Sequence, residues 1–259
     1  MRSKSVLLGA AALSLFAAGG AQAKGWVVSP GAKVNILTPY EGADHVVVRP
    51  SPSFNIRPAS RPYRFTPSDG GTTIEIISTD HFSFGPMARF RYKRDSKDNL
   101  VGLREIKWAA EPGAFVDIWP TYWLRMRAEA RHGFGGHKCL VGYLGADFVL
   151  TRGKWNASVG PRVGYGNTRY LDTYFGVTPL EAARSPFITR TYTPKGGVRY
   201  TGVTFAGSYH MSRNWLAKFD VGYKHLNDRA GLSPIVQVAG SRDQWSGSFG
   251  VSRSFSLGL

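Results

Sequence analysis

The sequence predicts an all-β protein: a closed antiparallel transmembrane β-barrel of about 12 strands, with short periplasmic turns and longer extracellular loops. Three observations support this fold class. The chain starts with an export signal, apolar and polar residues then alternate in repeated segments, and the connections between these segments sort by length. A chain of this size commonly forms a single barrel, and we expect residues 24–259 to do so.

The first 23 residues have the three parts of a cleaved secretory signal peptide. Arg2 and Lys4 give a basic start, residues 6–18 form an apolar run, and residues 21–23 (Ala-Gln-Ala) form a small-residue cleavage site. The apolar run is shorter than the roughly 20 residues that a membrane-spanning helix needs. A cleaved signal is therefore the favoured interpretation, and a retained anchor helix is the alternative.

Residues 122–131 show the alternation most clearly. Successive side chains of a strand point to opposite faces, and here one face is apolar while the other is charged. The apolar face holds Tyr122, Leu124, Met126, Ala128 and Ala130. The opposite face holds Trp123, Arg125, Arg127, Glu129 and Arg131. This pattern is typical of a barrel with lipid outside and a polar lumen inside; a soluble β-sandwich is the alternative.

The alternation and its interruptions place the strands and the loops. We expect strands near residues 26–37, 46–57, 61–67, 72–79, 81–92, 103–118, 122–132, 138–150, 154–166, 197–211, 215–226 and 244–259. If the first strand starts in the periplasm, all periplasmic connections are tight. The long connections 93–102, 167–196 and 227–243 then fall on the outer side, as in other outer-membrane barrels.

The connection 167–196 is long for a compact barrel, and such loops are usually functional or mobile. It is rich in aromatic residues, including Tyr170 and Phe187, and residues 179–183 are expected to form a short helical turn. Both packing as a lid over the barrel mouth and contact with a partner agree with this composition.

The chain is strongly basic, with 33 Lys and Arg against 17 Asp and Glu. Without Arg2 and Lys4 of the signal peptide, the formal charge of +16 becomes +14 on the predicted mature chain. Such an excess attracts polyanions. For an exported protein these include the phosphates of lipopolysaccharide, whereas export argues against nucleic acid as a partner. Cys139 is the only cysteine, so no intramolecular disulfide can form.

The charged residues on the inward faces define a candidate site inside the barrel. The predicted lumenal cations are Arg49, Arg57, Arg89, Arg91, Lys107, Arg125, Arg127, Arg131, Arg162, Lys218 and Lys224. The predicted lumenal anions are Glu75, Glu105, Glu111, Asp117, Glu129, Asp147 and Asp220. Paired charges would fill the lumen. The surplus of cations would instead favour an anion path if the lumen conducts, because rings of Arg and Lys select anions.

Residue types that carry catalysis or bind metals lack the expected spacing. His132, His137 and Cys139 lie close in sequence but have no fourth ligand nearby. The histidines and serines form no G-x-S-x-G nucleophile motif. Carboxylate pairs such as Glu105 with Glu111 could suggest glycoside hydrolysis, but ion pairing with lumenal arginines is the favoured interpretation. We therefore expect no metal, no cofactor and no catalysis.

Several motifs, in this order, resemble the MltA-interacting protein (MipA)/OmpV outer-membrane family. Two stretches carry most of the likeness: residues 39–44 (Pro-Tyr-Glu-Gly-Ala-Asp) and residues 174–178 (Tyr-Phe-Gly-Val-Thr). The residues of these and later motifs are Tyr40, Gly42, Tyr174, Phe175, Gly176, Ser185, Ser233 and Pro234. The chain departs from the family pattern at its end, where Phe255 is followed by four more residues, and in its strongly positive charge.

The resemblance implies an outer-membrane location and a scaffold role that links murein hydrolases to murein synthases in cell-wall turnover. The predicted function is therefore an outer-membrane interaction protein without catalysis. Its expected surroundings and partners are outer-membrane lipid, lipopolysaccharide and periplasmic murein hydrolase or synthase proteins. A narrow channel with anion preference is the alternative, and an outer-membrane lipid-modifying enzyme is the third hypothesis.

Overall fold

The computed structural model describes residues 25–61 and 63–258. The predicted signal peptide (1–23), the expected first mature residue Lys24 and the closing residue Leu259 lie outside the described residues. No helix in the described part of the chain is long and apolar enough to span a membrane, a result that does not bear on strands.

One largely antiparallel sheet, closed on itself, forms the body of the molecule. Its strands are β1 (Trp26–Leu37), β2 (Val47–Pro58), β3 (Thr72–Ile74), β4 (Ile77–Ser78), β5 (Phe82–Arg91), β6 (Ala109–Thr121), β7 (Leu124–His132), β8 (Phe134–Gly135), β9 (Leu140–Arg152), β10 (Trp155–Gly166), β11 (Gly197–His210), β12 (Trp215–Leu226), β13 (Asp243–Arg253) and β14 (Phe255–Leu257). Pairing of β1 with β13 closes the ring. The wall has 11 strands, with β4, β8 and β14 as short additions.

The alternation in the sequence sets the two faces of this wall. In β7 the charged residues at odd positions are buried, whereas the apolar residue Met126 is 47% exposed on the outer face. An apolar outer surface around a charged interior matches lipid outside the barrel. Arg253, which interrupts the outer apolar face, places its guanidinium 5.1 Å from the ring centroid of Phe255 and 5.6 Å from that of Trp215.

The segment that was predicted as the third strand does not lie in the wall. Residues 63–71 fold back into the lumen, where Phe65 is only 4% exposed and packs with Trp119 and Val149. A carboxylate oxygen of Asp69 accepts a hydrogen bond from the Arg162 guanidinium at 2.8 Å. The predicted fourth strand, 72–79, is divided into β3 and β4. The inward pass explains why β3 pairs parallel with β2 and why the wall has an odd number of strands.

The predicted sixth strand, 103–118, starts six residues too early, because β6 begins at Ala109. The preceding residues are held by apolar packing rather than by the sheet: Leu100 and Leu103 are buried in a cluster with residues of other loops. The buried residues Leu100, Leu103 and Ile106 recur at every third position, so they lack the period of two that marks a strand.

Long and short connections lie at opposite ends of the barrel. The loop-bearing end carries the connections 38–46, 92–108, 167–196 and 227–242, which we call the cap. The opposite, turn-bearing end carries the short connections 79–81, 122–123, 153–154 and 211–214, and both Gly25 and Gly258 lie at that end. The connection that follows β2 at the turn-bearing end departs from the predicted sorting by length, because it is long and enters the lumen.

Short helices give the cap its shape: α1 (Thr168–Phe175), α2 (Pro179–Arg184), α3 (Asp228–Gly231) and α4 (Pro234–Ala239). Asn167 caps α1 by accepting a hydrogen bond from the Tyr170 N–H. Thr178 and Glu181 form a reciprocal capping box at the start of α2. The helical turn expected at residues 179–183 is thus present as α2, whereas α1 and α4 were not predicted.

Candidate functional site: the charged lumen beneath the cap

Strands β5, β6, β7, β9 and β10 point charged side chains into one side of the lumen. At its upper end Glu111, which is 1% exposed, binds three partners. Its carboxylate accepts hydrogen bonds from Arg91 Nε at 2.7 Å and from Arg131 Nε at 3.2 Å, and His137 Nε2 lies 3.0 Å away. A buried carboxylate with several charge-assisted partners is stable as a charge, because these bonds replace lost hydration.

Glu129 holds the middle of the same side. Arg127 Nε donates to its carboxylate at 2.6 Å, Arg89 Nη2 lies 3.1 Å from Oε2, and Arg131 also donates to it. Arg131 therefore joins Glu129 to Glu111. The Arg127 guanidinium also lies 4.3 Å from the ring centroid of Phe115, which shields it from water.

Two aspartates continue the chain of ion pairs towards the turn-bearing end. Arg125 bridges Asp117 and Asp147 with contacts of 2.8 and 2.9 Å. Arg162 then joins Asp147, at 2.6 Å, to Asp69 of the inward segment, at 2.8 Å. The linked residues, which we call the charge network, are Asp69, Arg89, Arg91, Glu111, Asp117, Arg125, Arg127, Glu129, Arg131, Asp147 and Arg162.

Glu41 connects the cap to this network. The Tyr170 hydroxyl donates to its carboxylate at 2.9 Å, Arg199 donates a further bond, and Arg91 Nη1 lies 3.5 Å away. Burial alone would raise the pKa of Glu41, but Arg199 and Arg91 outweigh burial and hold that pKa below its ordinary value. Glu41 is therefore a carboxylate at neutral pH, and it fixes α1 above the lumen.

The cap has an apolar interior of its own. One buried cluster joins four connections and contains Leu100, Leu103, Val177, Ala182, Ile188, Ile235 and Ala239. A second lies between α1 and the barrel mouth and contains Ile106, Cys139, Val141, Tyr170, Leu171, Tyr174, Phe175, Tyr200, Leu226, Ala230 and Val236. Burial of this much apolar surface stabilises the closed arrangement of the connections.

Polar contacts tie the same connections together. Glu181 accepts bonds from the Arg104 guanidinium and from the Arg104 N–H, each at 2.8 Å. Burial would raise the pKa of Glu181, but the bonds from Arg104 and from Thr178 lower it to about 2. Gln244 of β13 bonds to both Gly42 N–H, at 3.0 Å, and the Ala43 carbonyl, at 2.9 Å. The cap is thus attached to the wall as well as to itself.

The residues that carry the family resemblance lie in the cap. Gly42 has φ of +102°, and a Cβ there would lie 2.9 Å from Val236 Cγ2, so a side chain is excluded on both grounds. Ser233 Oγ donates to the Phe175 carbonyl at 2.6 Å, and Ser185 Oγ accepts from the Ile188 N–H at 3.1 Å. The remaining ones are also placed here: Tyr40, Tyr174, Gly176 and Pro234. These motifs therefore encode the assembly of the cap.

Some predicted lumenal residues lie elsewhere. Lys107 and Glu105 are exposed in the connection before β6, so their assignment to the lumen was wrong. Both residues lie outside the wall because β6 begins only at Ala109. Arg49 and Arg57 point inward from β2 but stand apart from the charge network: Arg49 stacks on Tyr92 at 4.0 Å.

Arg57 and two further predicted residues, Asp220 and Lys224, contact only near neighbours. Arg57 donates to the Pro58 carbonyl at 3.4 Å, Asp220 accepts from Ser248 Oγ at 2.5 Å, and Lys224 Nζ lies 5.0 Å from the Tyr200 ring centroid. Sequence reasoning missed Asp69, Glu41 and Arg199. Asp69 and Glu41 lie in connections, where no alternation assigns a face. Arg199 lies near the start of β11, a strand for which the sequence analysis assigned no lumenal residue.

The candidate metal ligands do not converge. His132 lies on the outer face and packs against Phe134, whereas His137 is buried in the lumen beside Glu111. Cys139 is buried in the cap-proximal apolar cluster. Within residues 25–61 and 63–258, no group of three or more His, Cys, Asp or Glu residues is arranged to hold a metal ion.

Solved outer-membrane barrels are similar to this chain at low sequence identity. The NanC porin matches with 11% identity and a TM-score of 0.40, covering 90% of this chain and 100% of that chain. The COG4313 outer membrane channel from Pseudomonas putida F1 matches with 10% identity and a TM-score of 0.48, covering 89% and 96%. The outer membrane protease OmpT from Escherichia coli matches with 8% identity and a TM-score of 0.31, covering 91% and 98%.

No curated protein sequence matches the chain significantly. A family match, in contrast, covers nearly all of the described residues. Residues 31–255 match the family described as MltA-interacting protein MipA. This outer-membrane β-barrel therefore belongs to the MltA-interacting protein MipA family.

Proposed function

We propose that this chain is an outer-membrane scaffold that is closed to solutes and holds a periplasmic murein hydrolase, and through it murein synthases, at the membrane. The family description names an interaction with the hydrolase MltA for the family's eponymous member. In this proposal the turn-bearing end faces the periplasm and the cap faces outward. The apolar outer wall lies in lipid, and the cap borders the lipopolysaccharide layer.

The observation that carries the proposal is the closure of the lumen. The charge network is buried, with Arg125 3% and Arg127 6% exposed, and its carboxylates are engaged by arginines. Above it, the cap is tied to β5 through Arg91, to β11 through Arg199 and to β13 through Gln244. A lumen that is filled on one side and covered by the cap supports anchoring rather than passage through the barrel.

A conductance measurement tests the closed state. The purified protein in planar bilayers should give little or no stable current. An anion-selective channel is the second candidate, because Lys33 and Lys218 add to the cations of the lumen. Stable anion current that decreases when Arg125, Arg127 and Arg131 are neutralised together would favour the channel and contradict the closed scaffold.

Site-specific photo-crosslinking tests the partner and the sidedness together. A photoreactive phenylalanine analogue at Tyr122, a turn residue that is 90% exposed, should crosslink to a murein hydrolase in growing cells. The matched control carries the analogue at Phe187, which is 50% exposed on the cap. Crosslinks to the hydrolase from position 187, or from neither position, would contradict the proposal.

A further inference from the structure

The wall of the barrel is incomplete between β2 and β5. Among the described residues, β2 pairs with β3 at Asn55 and Ile56, and β3 pairs with β5 at Ala88 and Met87. Nearer the cap, residues 47–54 of β2 and 89–91 of β5 have no strand partner across this side. We call this unpaired stretch the seam.

The sequence of β2 prevents the seam from pairing. The Ile56 carbonyl accepts a bond from the Glu75 N–H at 3.0 Å, so Ile56 directs its backbone groups away from β1 and towards β3. Residues two apart along a strand direct these groups to the same side, which places the backbone nitrogens of Pro50 and Pro52 at the seam. Proline has no N–H. The edge of β2 at the seam therefore lacks two backbone N–H donors that a neighbouring strand would need. It also leaves fewer N–H groups without a hydrogen-bond partner.

A cavity of about 890 Å³ lies behind the seam, within the range of roughly 300–1,000 Å³ that is common for small-molecule sites. Its lining includes the outward-facing, apolar residues Pro50, Pro52 and Phe54 of β2 and Phe90 of β5. It also includes inward-facing residues of the same strands, such as Ser51. Because residues of both faces border one space, the cavity reaches the outer surface at the seam.

The inner wall of the cavity carries two lysines at one level. Lys33 of β1 and Lys218 of β12 both stand in register with Gly250 of β13, which lies between them. Gly250 leaves the space between the lysines open, since a Cβ there would lie 2.7 Å from Lys33 Cβ. On the other side, Lys33 is in register with Ser51 at the seam. A polar row thus leads from the seam to a pair of cations.

Neither lysine has a carboxylate partner within the described part of the chain. Lys33 Nζ donates to the Ser68 carbonyl at 3.3 Å, and Lys218 Nζ lies 3.4 Å from the carbonyl and hydroxyl oxygens of Thr66. Asp220 and Asp69 act on Lys33 only at longer range, so within the described residues no carboxylate is in ion-pair contact with either ammonium group. A carboxylate would complement both charges, whereas the apolar rim of the seam suits a hydrocarbon chain.

We propose that the seam is a lateral entrance through which a long-chain carboxylate, an anionic amphiphile of the fatty-acid class, passes from the membrane into this cavity. The carboxylate binds between Lys33 and Lys218, and the acyl chain lies along Pro50, Pro52 and Phe54. This function is separate from the scaffold role, because the carboxylate site is formed by β1 and β12, and of the charge network only Asp69 and Arg89 border the cavity.

Binding is tested with the full chain in lipid vesicles and dansylaminoundecanoate, a fluorescent carboxylate that accepts energy from tryptophan. The Lys33→Met/Lys218→Met variant should bind the probe at least tenfold more weakly than the unmodified protein. The variant Lys154→Met/Lys195→Met, which loses the same charge at two positions outside the cavity, should bind normally. Hexadecanoate should displace the probe, and its methyl ester should not. Unchanged binding by the cavity variant, or equal displacement by the ester, would overturn the carboxylate site.

The route is tested by the rate of uptake. Ser51→Trp narrows the seam, and Ser256→Trp narrows the turn-bearing end of the same cavity. We expect Ser51→Trp to slow association at least fivefold and Ser256→Trp to leave the rate within twofold. The reverse result would show uptake from the turn-bearing end and refute the lateral entrance. Heat-dependent mobility on gels verifies that each variant is a folded barrel before it is compared.

Discussion

The two sides of the lumen both carry basic side chains, but one side is filled and the other is open. On the side of β5 to β10, arginines meet carboxylates at 2.6–3.2 Å and leave little space. On the side of β1, β2, β12 and β13, lysines meet only neutral oxygens, and a cavity of about 890 Å³ remains. The comparison shows that pairing, and not the number of charges, decides whether a charged lumen is filled or can receive a ligand.

Arginine and lysine differ in ways that suit these two sides. The planar guanidinium donates in two directions at once, so a single arginine can bridge two acids. Arg125 and Arg131 do so here. The compact ammonium of lysine is a mobile point charge that can turn towards a ligand. A change that breaks pairing on the filled side should therefore cost far more stability than one on the open side.

The largest expected effect is that of Glu129→Gln. The neutral amide no longer compensates Arg89, Arg127 and Arg131, and removal of one partner from a buried pair costs about 3–5 kcal/mol. The control on the open side, Lys218→Met, should change the free energy of unfolding by less than about 1 kcal/mol because no ion pair is lost. Urea titration of both variants in lipid vesicles measures this difference. Equal losses would mean that the two sides are not distinct.

A smaller effect is expected where the cap meets the charge network. Tyr170→Phe removes the hydroxyl that donates to Glu41, and a hydrogen bond to a charged group contributes about 1.5–3 kcal/mol. Cys139 is buried beneath α1, so its rate of labelling by a thiol reagent reports opening of the cap. We expect at least a tenfold faster rate for this variant. Tyr192→Phe, a control elsewhere in the cap, should remain within threefold; equal rates for the two variants would exclude Glu41 as the attachment point.

Acid should loosen the cap in a defined range. The pKa of Glu181 is about 2 in the folded chain and about 4.3 in an unfolded peptide. Because folding lowers this pKa, the contribution of Glu181 to stability is fully present above the unfolded value. It is lost as the pH falls through about 2. Pepsin cleavage within residues 178–185 should accelerate over this range in the unmodified protein. Glu181→Gln, compared at each pH, should be cleaved rapidly throughout; a parallel response of the two would assign the acid sensitivity to another group.

The smallest effect concerns the seam. Arg49 and Tyr92 close its cap-proximal end by a cation–π contact of 4.0 Å, which is worth about 0.5–1 kcal/mol at an exposed site. Arg49→Ala should therefore speed uptake of the fluorescent carboxylate by about two- to fivefold. Arg253→Ala removes a similar contact on the outer wall and should have no effect. Slower uptake in the Arg49 variant would instead make Arg49 part of the ligand site.

The sequence predicts the wall well, because lipid outside and charge inside impose a period of two on every spanning strand. The faces of Arg125, Arg127, Glu129 and Arg131 follow directly from this period. The sequence cannot predict the position of residues 63–71, which alternate like a strand but pack inside the lumen. The arrangement of the cap cannot be predicted from the sequence either. Its contact between Glu41 and Arg199 joins residues 158 positions apart, and no local pattern encodes such a contact.

Because of the seam, the ring of paired strands is open at its cap-proximal end. In a fully paired barrel, hydrogen bonds around the whole perimeter fix the circumference, whereas here the cap-proximal half of the ring can widen without breaking any bond between β2 and β5. Two contacts hold that half at its diameter: Glu41, in the connection that precedes β2, reaches Arg91 at the end of β5 at 3.5 Å, and Arg49 stacks on Tyr92. The cap therefore holds the end of the barrel together as well as covering it. A chain without the cap should keep its barrel diameter at the turn-bearing end, whereas its cap-proximal end should widen.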